Sequence, residues 1–173
     1  MKSLLIASAG AFLLAAGMAL AQGAGPTDPQ IAHIVVTANQ VDIDAGKLAE
    51  SRGSNAEVKA FGKRMVTDHT GVNKEATALV KKLGVKPEDN PTSESLKKGG
   101  EDNLTHLKGL KGAAFDKAYI DHEVAYHEQV LDAVDKVLVP NAKNAELKAL
   151  LVKVRPAFVA HLDHAKQIQG KLK

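Results

Sequence analysis

The chain has 173 residues, 23 Lys and Arg against 20 Asp and Glu, seven His, no Cys and no Trp. Without cysteine there is no disulfide framework, no thiolate metal site and no lipid-anchored N-terminus of the lipoprotein type. The lysines are scattered among acids, with neither the basic stripe nor the aromatic interleaving of a nucleic-acid binder, so nucleic acid is excluded as a partner.

Residues 1–21 read as a cleavable secretory signal. Lys2 gives the positive n-region, Leu4 to Met18 the apolar h-region, and Ala19-Leu20-Ala21 the small-residue cleavage site. The apolar run is short for a bilayer span of roughly 20 residues, and no later run is long enough. The exported chain is expected to start at Gln22 as a single domain over 22–173, with no transmembrane segment, delivered to the periplasm of a Gram-negative bacterium.

Asp28 followed by Pro29 predicts a helix start. Ile31, Ile34, Val35, Ala38, Val41, Ala45, Leu48 and Ala49 then recur at the helical period, and Gly53 stops the run. Ser54 is expected to cap a second helix carrying Val58, Phe61, Met65, Val72, Ala76, Leu79 and Leu83, which ends near Gly84. Residues 85–111 hold two prolines and several glycines and predict a looser connection with one short helix through Leu96, Leu104 and Leu107. A third long helix is expected from about Ala113 to Leu138, before Pro140. The fourth runs from about Asn144 to near the C-terminus, with a kink or break at Pro156. Nothing reads as a strand. Two helix hairpins joined by a long crossover with a short extra helix make an all-α, ferritin-like four-helix bundle.

Candidate functional residues are ionisable side chains that fall inside the apolar stripes. At about 100° per residue, Asp42 lies about 40° from the stripe centre at Ala38, and His69 about 40° from Met65. Glu123 falls in the middle of the third helix's apolar face, and His127 is one turn later. His161 lies about 60° from Phe158. His33 and Asp44 point away. Buried carboxylates must be paired, protonated or metal-bound, and no Lys or Arg shares these faces. Carboxylates and imidazoles together suit a single divalent transition metal such as zinc, iron or copper.

Counting helical rise from Gly53 puts Asp42 and His69 at levels differing by roughly 7 Å. Counting from Asn141 leaves Glu123 and His161 nearly level, so Glu123, His127 and His161 are the expected nucleus of a metal site, assisted by His69 or Asp42. The plainer alternative pairs His127 with Glu123 and His69 with Asp68, leaving Asp42 at the stripe edge. Tyr119 and Tyr126 flank Glu123, which is the expected partner of their hydroxyls.

Three stretches, AEVKAFGKRMVTDHTGVNKE (56–75), FDKAYIDHEVAYHEQVL (115–131) and RPAFVAHLDHAKQI (155–168), resemble the domain-of-unknown-function 4142 family, as does DIDAGKLAESRGSN (42–55). The resemblance covers about 31–170 and implies an exported bacterial protein of the ferritin-like helical class. Positions carried over are His69 in its MVTDH run, His127 and His161. It implies no activity. Di-iron ferritins place Glu-x-x-His pairs on two helices, whereas Val66 and Phe158 precede His69 and His161 by three. A mononuclear His/carboxylate site is therefore the expectation.

Two further classes stay open. One is a non-catalytic structural, interaction or stress-protective protein whose interior polar groups are merely paired. The other, a hydrolase or oxidase, ranks last, because no nucleophile-and-base pair, phosphate loop or cofactor fingerprint is present. A homodimer through helix faces is compatible with the pattern.

Overall fold

A computed structural model describes residues 25–172. The expected secretory signal and its cleavage point before Gln22 lie outside the described residues. Helix α1 spans Asp28–Arg52, and its N-cap is Thr27, one residue before the expected position. Thr27 and Gln30 form a reciprocal capping box. The Asp28 side chain, not needed as a cap, ties the start of α1 to the far hairpin. Its carboxylate accepts from the backbone N–H groups of Lys143 and Asn144.

Helix α2 spans Ala56–Lys82 and is capped by Asn55, whose side chain accepts from Glu57 N and Val58 N. Ser54, the expected cap, is held instead by the buried carboxylate of Asp116, which also accepts from Asn55 N.

Helix α3, Pro91–Lys108, is an 18-residue helix where a short one is expected. Asn90 and Ser93 make its capping box, with Pro91 in the first turn. Gly99 and Gly100 suggest a break by sequence, yet the helix runs through both. A Cβ at Gly100 would come within 2.8 Å of Val41 Cγ2, so this glycine serves close packing of α3 on α1.

Helix α4 spans Gly112–Ala133 and continues into a π-helical stretch, Val134–Leu138, and the short α5, Val139–Asn141. Pro140 offers no N–H and its ring crowds the carbonyl four residues back, which the widened π turn accommodates. Helix α6, Ala145–Gln169, carries Pro156 without interruption. That proline is exposed, so the backbone bond it forgoes lies toward solvent and the expected break does not occur.

The hairpins α1–α2 and α4–α6 form the four-helix bundle, and α3 lies against α1 as the crossover. Among the described residues there is no strand, and no helix is long and apolar enough to cross a membrane. The apolar interior is divided in two. One cluster gathers Ile31, Ile34, Val134, Leu138, Leu151 and Phe158, and the other Ala49, Phe61, Met65, Phe115, Ile120 and Ala165. Between these clusters each of α1, α2, α4 and α6 buries polar side chains.

Candidate metal centre

The polar layer is supplied by all four bundle helices: Asn39 and Asp42 from α1, His69 from α2, Glu123 and His127 from α4, and His161 from α6. All six are at most 3% exposed, and no Lys or Arg is buried with them among the described residues. All five residues singled out from the sequence therefore occupy one level of one core.

Three imidazoles form its centre. The ring centroids of His69, His127 and His161 lie 5.1, 5.4 and 5.7 Å apart in pairs. Each ring is anchored through one nitrogen. His69 Nδ1–H donates to Asn39 Oδ1 at 2.6 Å, and Asn39 is itself oriented by donating its Nδ2 to the Val35 carbonyl at 2.8 Å. His127 Nδ1–H donates to the Glu123 carbonyl one turn back at 3.0 Å, and His161 Nε2–H to Asp68 Oδ2 at 2.8 Å.

These bonds fix the tautomers. Nε2 of His69, Nε2 of His127 and Nδ1 of His161 each carry a lone pair, are buried, and have no hydrogen-bond partner within the chain. Burial pushes all three imidazoles below their usual range, His127 to about 4, with the neighbouring rings adding to the effect on His69 and His127. They are neutral at pH 7 and able to donate those lone pairs.

The carboxylates stand on the other side. Asp42 Oδ2 is 3.6 Å from His69 Nε2, and Glu123 Oε2 is 3.5 Å from His127 Nδ1. Asp42 and Glu123 face each other. Burial raises Asp42 well above the carboxylate range, with the Glu123 charge adding to it, and raises Glu123 to about 8. Without a cation Glu123 holds its proton at neutral pH, and burial shifts Asp42 in the same direction. Two donor sets have all their ligand atoms within 4.8 Å of one another: His69, His127 and His161, and Asp42, Glu123 and His127. Three free imidazole nitrogens beside two carboxylates form a donor set that suits a divalent transition ion.

The expected nucleus of Glu123, His127 and His161 is rearranged. His69 completes the imidazole triangle, while Glu123 belongs with Asp42. The level offset between Asp42 and His69 narrows to roughly 4.5 Å because the turn is centred on Ser54, not Gly53, which leaves 12 and 15 residues. Helical side chains also lean toward their own N-terminus, which brings these two together in an antiparallel pair. The tyrosines differ from expectation too. Tyr126 donates to the Ala38 carbonyl at 3.1 Å, while the buried Tyr119 hydroxyl lies beside Glu123 without a well-formed hydrogen bond.

The family model for a domain of unknown function, DUF4142, matches residues 14–168. The chain belongs to the DUF4142 family. No curated relative matches the sequence. This DUF4142 chain is similar in fold to the solved structure of CopM in the Cu(II)-bound form, with a TM-score of 0.66 and 15% sequence identity over 86% of this chain and 99% of that one. At that identity the likeness concerns fold alone.

Two residues that sequence reasoning missed orient the donors of this DUF4142 chain. Asn39 stands three before Asp42 on the buried face of α1, a spacing that could have flagged it. Asp68, by sequence an alternative partner for His69, reaches His161 on α6 instead. Its i,i+4 pairing with Arg64, at 3.3 Å, is the available signal.

Proposed function

We propose that the protein binds one divalent transition ion at mid-bundle, through His69 Nε2, His127 Nε2 and His161 Nδ1, with Asp42 and Glu123 supplying oxygen donors and charge balance. The observation that carries this reading is the set of three anchored imidazoles whose inward nitrogens are buried and unpartnered. A merely structural histidine would satisfy both nitrogens, because leaving one buried without a partner costs about 1–3 kcal/mol. The outward hydrogen bonds to a side-chain amide, a backbone carbonyl and a carboxylate are the supports that metal-ligating imidazoles commonly have. Ligation at about 2.0–2.2 Å draws the donors closer than their present separations, which lie within 4.8 Å, and asks for side-chain shifts of about an ångström.

The donors favour copper(II) or zinc, imidazole-rich sites suiting both. The solved Cu(II)-bound form of CopM, alike in fold, makes copper the first metal to test. The proposed role is binding. Two surface clefts, one beside Asp116 and Lys171 and one between α1 and α3, are lined by none of the donors. In this reading residues 1–21 direct export and the domain over 22–173 handles metal in the periplasm.

Elemental analysis of untagged protein, exported from its own signal, tests the proposal. The expected result is close to one equivalent of copper or zinc, lost in His161→Ala and kept in His33→Ala. Less than about a tenth of an equivalent, with no thermal shift on adding either ion, would overturn it.

A further inference from the structure

The donors are at most 3% exposed, so an ion reaching them must pass a layer of side chains. Two of the three imidazoles are anchored to buried partners, Asn39 and the Glu123 carbonyl. His161 alone is anchored to a half-exposed side chain, Asp68, at 38%. Asp68 is in turn held by Arg64, whose Nε lies 3.3 Å from Asp68 Oδ2. The same guanidinium donates through Nη1 to His164 Nδ1 at 3.2 Å.

An arginine can only donate. Both atoms it touches therefore present lone pairs to it: a carboxylate oxygen and an imidazole nitrogen, a donor pair that also suits a dication. His161 and His164 are one turn apart on α6, and the His161 ring turns Nε2 outward to Asp68 and Nδ1 inward to the buried cluster.

We propose, resting on the metal-binding reading above, that Asp68 and His164 form an outer station for the incoming divalent ion, and that Arg64 is the latch that occupies it. When the guanidinium swings away, the ion is held by Asp68 Oδ2 and His164 Nδ1. It passes inward as the His161 ring releases Asp68. The latch can open because Arg64 and Asp68 are both half-exposed, so water replaces the two contacts that the guanidinium gives up.

Loading and unloading rates of the purified chain test this, with copper(II) alone as the incoming ion, visible absorption as the readout, and a chelator for removal. Arg64→Met is expected to speed both rates by roughly tenfold while the equilibrium Kd stays within about twofold. Adding His164→Ala to that variant should slow loading again. Lys63→Met makes the same charge change on the adjacent, exposed position and should leave both rates unchanged. Arg64→Met rates within about twofold of wild type, or an equal acceleration in Lys63→Met, would overturn the latch. Wild type that takes up no copper at equilibrium defeats the metal-binding reading and the latch with it. Wild type that binds one equivalent at rates insensitive to Arg64 defeats the latch alone.

Discussion

At the scale of single residues, the site depends on which nitrogen of each ring is tied down. Asn39 keeps His69 Nε2 free by accepting from Nδ1, and its own orientation is set by Val35. Asn39→Ala is expected to leave the bundle folded and to weaken metal binding about 10–100-fold, the usual effect of removing such a support. Titration of the variant against a competing chelator measures it. Glu123 makes the opposite point, because burial of its charge is costly without a cation. Glu123→Gln should raise the melting temperature of metal-free protein at pH 8, by about 2–4 °C per kcal/mol recovered, while weakening the metal complex. A variant less stable than wild type at that pH would contradict this. Asp42, His69, Glu123, His127 and His161 were all legible from their places on apolar stripes. Asn39 and Asp68 were not, since an amide and a half-exposed carboxylate look ordinary until the partner helix is in place.

At the scale of elements, the register between α1 and α2 brings Asp42 opposite His69, and close backbone approach fixes it. A Cβ on Gly62 would lie 2.7 Å from the Gly46 carbonyl, and one on Gly46 would lie 2.7 Å from the Gly62 carbonyl. Gly62→Ala should therefore destabilise the protein despite the roughly 0.8–1.0 kcal/mol that helix propensity alone would return. Gly71→Ala, in the same helix with open space around it, should be stabilising by about 0.5–1 kcal/mol. Denaturant unfolding of the two variants gives the comparison, and equal effects would contradict it. The same approach explains what sequence reading misjudged. Gly99 and Gly100 look like a loop because glycine weakens an isolated helix, whereas in α3 Gly100 is the surface on which Val41 of α1 sits. Helical period predicted the four bundle helices well, because each has a full apolar face. The π turn at Val134–Leu138 leaves no mark in that period.

At the scale of the whole molecule, a polar layer splits an apolar core, and its protonation couples to folding. Glu123 rises from 4.5 to about 8 in the fold, so the stability it allows is full below 4.5 and is lost as pH rises through 8. Asp42 shifts in the same direction. His127 falls from 6.5 to about 4, so its contribution is full above 6.5 and is lost as pH falls through 4. Above pH 6.5 only the carboxyl effect remains. Metal-free protein should lose stability between pH 6.5 and 8, whereas an ion that displaces those protons reverses the loss. The thermal shift on adding copper(II) or zinc is thus expected to grow from pH 6.5 to pH 8, followed by helical circular dichroism because the chain has no tryptophan. A shift that shrinks over that range would contradict the assignment of the carboxyls.

The central claim is that three buried imidazoles hold one ion. Hyperfine spectroscopy of the protein loaded with one equivalent of copper(II) counts coordinated imidazoles directly. The account predicts three histidine nitrogens in wild type and loss of that signal in His161→Ala. A spectrum with one or two nitrogens that is unchanged in His161→Ala, as an ion on exposed histidines would give, would contradict it.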